Sequence, residues 1–257
     1  MRRFTDHTLS LFAVVIALAA LVTGALVTTG NSFNDNSLRT PHRALSMLAV
    51  ASAVAVALRI PATRTLVGAS LAVAIGSGGM LEAKAGAGLA GVGHAIAASM
   101  LLSGAAIGVL LTTPVADMNP VIDSGSPSLR SLARVTWFAL LVQTALGALY
   151  RHNIVGLLPH IGCALLVMGM VMYAGIAAWS TENAPKPLTR TALAMLILTG
   201  VQMLLGIAAY LYRNDPATGG GVLLWSVFHV AVGAITTATC ALMEIQISRY
   251  VRPVVVA

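Results

Sequence analysis

Residues 132–179 read LARVTWFALLVQTALGALYRHNIVGLLPHIGCALLVMGMVMYAGIAAW. Two apolar runs, 132–150 and 157–179, flank a short polar step that includes Arg151, His152 and Asn153. Each run approaches or exceeds the roughly 20 residues a helix needs to cross the hydrocarbon of a bilayer. The stretch therefore predicts a pair of membrane helices joined by a tight turn. Pro159-His160 opens the second run and places an ionisable group inside it. Such a group is costly in a membrane and normally has a partner or a task.

The same texture extends in both directions. The chain has 257 residues, 58% of them hydrophobic and only 9% charged. Soluble domains carry about 25% charged residues, so a polytopic membrane protein is predicted. Hydropathy places eight spans at 9–29, 43–60, 64–81, 91–113, 132–150, 157–179, 190–212 and 222–246. The break between the second and third rests on Arg59, Pro61 and Arg64 alone. The leader MRRFTDH has the basic start of a signal peptide. The long apolar run and the lack of an A-x-A site before a polar domain predict a retained span instead.

The net charge of +7 reads as topology. With eight spans both termini share a side. That side holds Arg2, Arg3, Arg59, Arg64, Arg130, Arg134, Lys186, Arg190, Arg249 and Arg252; the other holds Arg39, Arg43, Lys84, Arg151 and Arg213. The positive-inside rule then predicts cytoplasmic termini, and the expected membrane is the plasma (inner) membrane of a prokaryote. The basic groups meet lipid head groups. No nucleic-acid-binding motif is present.

The chain also reads as a duplication. ALVTGALVTTGN in span 1 corresponds to QTALGALYRHN in span 5, and each precedes a Pro-His pair, Pro41-His42 and Pro159-His160. LAVAIG in span 3 corresponds to VQMLLG in span 7. Gly-rich connections, EAKAGAGLAGVG and RNDPATGGG, then lead to His94 and His229. The expected architecture is all-α: two tandem four-helix bundles related by a pseudo-two-fold axis along the membrane normal. The halves are 1–113 and 132–257, joined by a flexible linker at 114–131 rich in Pro, Ser and Asp. Repeats of this kind are common in membrane proteins.

Four histidines thus enter four even-numbered spans at matched depth, on the extracytoplasmic side of this topology. Two bis-imidazole sites are the expected outcome, and haem iron is the common occupant of such a site in a membrane bundle. His42, His94, His160 and His229 are the candidate iron ligands. Four residues on, Ser46, Ala98, Ala164 and Gly233 share a helix face with each histidine and are all small. Small side chains there would admit a flat macrocycle; they also suit close helix packing. His7 and His152 are expected to be solvated.

Gln143 and Gln202 recur in Q-x-x-L-G segments, on one face with Gly147 and Gly206. Hydrogen bonding between helices is the expected role. Arg43 and Arg151 lie where two haem propionates would be, and arginine pairs well with carboxylates. Head-group anchoring explains the same residues equally well. Tyr150 and Trp225 suit an interfacial belt. Cys163 and Cys240 lie inside spans as small hydrophobes, in no CxxCH motif. Glu244, near the end of span 8, is the only acidic residue within a span, which argues against a carboxylate proton relay.

With these segments in view the chain resembles the haem A synthase family over nearly its whole length. Residues 143–152, QTALGALYRH, are similar to that family's Q-x-x-L-G-A-x-x-R-H stretch. His42-Arg43 resembles its His-Arg motif, and Gly24-Ala25-Leu26-Val27-Thr28 its G-A-x-V-x segment. The resemblance implies that His160 and His229 hold a resident haem B. It implies that His42 and His94 face haem O as substrate, with haem A as product. The C8 methyl of haem O would become a formyl group for cytochrome oxidase. Electrons would pass through the quinone pool or another donor. Haem O synthase and a terminal oxidase are the implied neighbours.

The chain departs from the family pattern twice. The family's glutamate three residues before the first histidine is Arg39 here, and the nearest carboxylate in the loop is Asp35. The loop at 30–41 has no cysteine pair. Arginine cannot act as a base near neutral pH. Two other readings therefore stay open. One is a dihaem b-type electron carrier or accessory subunit of a respiratory complex. The other is a non-redox membrane protein whose histidines are structural.

Overall fold

The computed structural model describes residues 2–29, 36–82, 87–114, 120–123, 125–213 and 221–253. Its framework is eight helices: α1 (Arg2–Thr29), α2 (Asn36–Arg59), α3 (Arg64–Glu82), α4 (Ala87–Thr112), α5 (Leu129–Arg151), α6 (Leu157–Ser180), α7 (Lys186–Tyr212) and α8 (Gly221–Tyr250). All eight contain a stretch long and apolar enough to cross a membrane. The protein is an all-α polytopic membrane protein.

Hydropathy places the helix centres correctly and several ends too far inward. α2 starts at Asn36 and takes Pro41 inside it. Pro41 stands in the second turn, where it forgoes the bond its N–H would give the Ser37 carbonyl. The α2–α3 break is a 3-10 turn over Pro61–Thr63. Thr63 Oγ1 donates to the Ile60 carbonyl (2.8 Å) and the Arg64 guanidinium to the Ala57 carbonyl (3.1 Å). These bonds satisfy carbonyls that the end of α2 leaves open.

α5 begins at Leu129, inside the stretch read as linker. Ser128 is its N-cap, its hydroxyl accepting from the Ser131 N–H at 3.2 Å. The Asp123 carboxylate accepts from the Leu129 N–H at 2.6 Å. Caps are local polar chemistry that hydropathy does not register. The linker is also tied down: β1 (Val121–Asp123) pairs in parallel with β2 (Val251–Pro253), Val121 opposite Val251. The described part of the linker is thus a paired segment rather than a free connector.

In the first half α1 packs on α2 and α4, and α3 on α4, while α2 and α3 meet sparsely. In the second half α8 packs on α5 and α7, and α6 on both α5 and α7. The halves meet through α1, α4, α5 and α8. Ala17, Leu21, Leu102, Ala231, Ala234 and Ala238 form a cluster at that junction. Lipid offers no hydrophobic drive between helices, so small side chains that permit close approach carry the contact. Large apolar groups such as Leu166 and Leu204 stay exposed on the outer faces. At the end of the bundle holding the termini, Arg59 pairs with Asp6 (2.8 Å) and Arg134 with Glu244 (3.6 Å).

Candidate functional site

The four intramembrane histidines sit in the opening turns of the even-numbered helices, at the end opposite the termini. α4 and α8, which pack against each other, carry His94 and His229. α2 and α6 lie further out and carry His42 and His160. The fold brings the four together as two pairs. The ring centroids of His42 and His94 are 6.1 Å apart at an interplanar angle of 77°. Those of His160 and His229 are 6.3 Å apart at 85°.

Each ring is backed by a glycine on the preceding odd-numbered helix. A Cβ at Gly24 would stand 2.8 Å from His42 Cε1, at Gly147 3.0 Å from His160 Cε1, and at Gly206 2.9 Å from His229 Cε1. At Gly78 it would stand 4.0 Å from His94 Cε1. The residue four before each glycine supplies the next contact. His42 Nδ1–H donates to the Ala20 carbonyl (3.1 Å), with the Thr23 hydroxyl 3.2 Å away. His229 Nδ1–H donates to the Gln202 carbonyl (3.1 Å), and the Gln202 amide donates back to His229 Nε2 (3.3 Å). The Gln143 amide nitrogen lies 3.1 Å from both Nδ1 and the carbonyl of His160. His94 faces the Ala74 carbonyl, and its Nδ1 is buried without a hydrogen bond.

The glycine–histidine pairing escaped the sequence reading. The signal was there: a glycine in each odd span, at 24, 78, 147 and 206, each four residues after Ala20, Ala74, Gln143 or Gln202. Attention to the histidines' own helices missed it, because room for the ring is made on the neighbouring helix. The small residues at i+4 answer partly to packing. Ala98 packs against the cluster between the halves. A Cβ at Gly233 would stand 2.9 Å from the Gln202 amide nitrogen. Ser46 and Ala164 are partly buried on α2 and α6.

Arg151 is turned inward, across the boundary between the halves. Its guanidinium donates to the Ala25 carbonyl (2.8 Å) and to the Thr29 hydroxyl. Among the described residues no carboxylate pairs with it. It lies one turn beyond Gly147, the glycine that backs His160, on the same face of α5. Arg43 is exposed on α2 next to His42. Arg213 donates to the Tyr150 hydroxyl (2.6 Å) and lies over the Tyr210 ring, while Tyr212 stacks on Trp225. These aromatic groups suit the bilayer interface.

Neither of the other histidines is merely solvated. His152 packs against Gly91 of α4 and is half-buried. Burial, and then the neighbouring Arg151 charge, lower its pKa from the ordinary histidine value. His7 Nδ1 lies 3.1 Å from the Thr112 hydroxyl, joining α1 to α4. Arg39 stands one turn before His42, whereas Asp35 lies outside the described residues.

The pairs have the dimensions of a two-imidazole metal site. Two imidazole–metal bonds of about 2 Å plus two ring radii of about 1 Å would separate the centroids of two rings holding one ion by about 6 Å. Among the described residues no third His, Cys, Asp or Glu joins either pair. An ion held there would take its remaining ligands from a non-protein group. Anchoring Nδ1–H on a carbonyl, as at His42 and His229, is how proteins orient a ligating imidazole; at His229 the Gln202 amide would have to give up Nε2 to the ion. At His160 a half-turn of the Gln143 amide would do the same, bringing onto Nδ1–H an Oε1 atom that is buried without a partner. No protein-family model matches the chain, and no curated protein matches it.

Proposed function

We propose that the protein is a haem-binding membrane oxidoreductase of the haem A synthase type, converting the C8 methyl of haem O to a formyl group for cytochrome oxidase. The observation that carries this reading is the pairing of the four histidines at about one metal's width, 6.1 and 6.3 Å between ring centroids. His160 and His229 would hold a resident haem B, and His42 and His94 the haem O substrate. Haem supplies one-electron chemistry when bound.

The chain's own residues supply orientation and charge. The Ala20 and Gln202 carbonyls fix the His42 and His229 rings. The glycine behind each ring lets the neighbouring helix close over it. Arg151, which pairs with no carboxylate among the described residues, puts an inward-facing cation one turn from the glycine that backs His160, where a propionate would meet it. The reading places the termini in the cytoplasm of a prokaryote and the sites toward the outer face of its plasma membrane. The electron donor would be the quinone pool or another carrier, and the clients haem O synthase or a terminal oxidase.

One observation favours a second reading. Arg39 stands where a carboxylate would serve as base, so the chain is alternatively a dihaem b-type electron carrier that leaves the macrocycle unchanged. Haem extraction followed by mass analysis decides between them, using protein purified from a membrane that makes haem O. Haem A or its hydroxylated precursor beside haem B establishes the oxidoreductase. Haem B alone establishes the carrier, and no haem at all removes both.

A further inference from the structure

The two histidine pairs are not equally held. At the residue four before each site glycine, the C-terminal half has Gln143 and Gln202, and the N-terminal half has Ala20 and Ala74. The Gln143 amide nitrogen lies 3.1 Å from Nδ1 of His160, and the Gln202 backbone carbonyl takes the Nδ1–H of His229 at 3.1 Å while its side-chain amide meets Nε2. Ala20 offers only its carbonyl, which His42 uses, with Thr23 adding a hydroxyl. Ala74 offers only its carbonyl, and His94 Nδ1 closes no hydrogen bond to it. His94 is also the loosest ring: its glycine, Gly78, leaves 4.0 Å to a would-be Cβ, against 2.8–3.0 Å at the other three.

An imidazole whose far nitrogen is anchored is pre-oriented and more basic as a ligand; one left unanchored is neither. We propose that His94 is the releasing ligand of the N-terminal pair, with His42 the fixed one, while the C-terminal pair keeps both of its ligands. The proposal rests on the haem reading above and adds which ligand lets go and why. A site that opens one position on demand can admit and discharge a macrocycle, and the unanchored His94 Nδ1 with the slack at Gly78 is what loosens it.

The test uses the full chain in detergent, loaded with haem B as the probe. His160→Ala/His229→Ala isolates the N-terminal pair, and His42→Ala/His94→Ala isolates the C-terminal pair. Reduced protein with the N-terminal pair alone should bind carbon monoxide; protein with the C-terminal pair alone should not. In the first background, His94→Ala should retain haem as a high-spin, five-coordinate species, and His42→Ala should lose it.

Ala74→Gln should slow carbon monoxide binding by about 10- to 100-fold, the usual reach of such outer partners. This variant adds a side chain without removing a ligand, so it remains informative if a double alanine variant misfolds. Carbon monoxide binding equally to both pairs, haem loss from His94→Ala rather than His42→Ala, or no effect of Ala74→Gln would each overturn the proposal. Those outcomes leave the haem reading standing. A wild-type protein that develops no Soret band with haem B overturns both.

Discussion

Gly206 of α7 lies directly against the His229 imidazole of α8, close enough that a Cβ there would stand 2.9 Å from Cε1. Gly147 stands in the same relation to His160, at 3.0 Å. Backbone-to-ring contact of this kind fixes where the imidazole points, because the facing helix has no side chain to yield. Gly206→Ala and Gly147→Ala should therefore displace the rings and destabilise the fold by about 1–3 kcal/mol, the usual cost of overpacking. Gly78→Ala should be tolerated, since 4.0 Å is ordinary contact. Thermal unfolding in detergent compares the three, and equal losses would contradict the geometry.

Arg151 joins the halves through the Ala25 carbonyl and the Thr29 hydroxyl. Arg151→Gln should cost about 1.5–3 kcal/mol of stability, as expected for hydrogen bonds from a charged donor. On the proposed haem reading it should also lower haem occupancy of the C-terminal pair, measured from the Soret absorbance in a His42→Ala/His94→Ala background. Arg151→Lys should restore little, because a single ammonium cannot span both acceptors as the fork does. Full recovery by lysine would show that charge alone matters.

The Asp6–Arg59 pair is unequal in burial, the Asp6 side chain 12% exposed and that of Arg59 43%. Removing Arg59 leaves a carboxylate stranded indoors, whereas removing Asp6 leaves a cation that can turn to water. Arg59→Ala should cost about 3 kcal/mol. Asp6→Ala should cost nearer 1 kcal/mol. A larger loss from Asp6→Ala would show that the carboxylate reaches solvent or another cation once Arg59 is gone.

His152 contributes a pH dependence with a definite sign. Its folded pKa is depressed, first by burial and then by Arg151. The stabilisation is therefore complete above the unfolded value of about 6.5 and is lost as pH falls through the folded value. Wild type should exceed His152→Gln in stability by the most near pH 8. The gap should shrink on acidification to about pH 5, measured as the difference in unfolding midpoint. A gap that widens on acidification would reverse the sign.

What could be read from the residues followed from the cost of polar atoms in hydrocarbon. Eight apolar runs had to be helices, because no other open structure satisfies its backbone there. Their number, the duplication in their pattern and the entry of His42, His94, His160 and His229 into even-numbered spans are all visible in one dimension. So is the Q-x-x-L-G recurrence around Gln143 and Gln202. The helix ends were less legible, since Ser128 and the Asp123 carboxylate start α5 by local hydrogen bonds inside a stretch that hydropathy reads as loop.

Tertiary structure decided which groups meet. Only packing sets Gly24, Gly147 and Gly206 hard against histidines of the next helix and leaves Gly78 slack against His94. Only packing turns Arg151 inward across the boundary between the halves and lodges His152 on Gly91. The physical reason is one of scale. The bilayer penalty acts on each segment by itself and so is written into local composition. The fit of one ring against a glycine on another helix depends on tenths of an ångström between segments that the chain order does not relate.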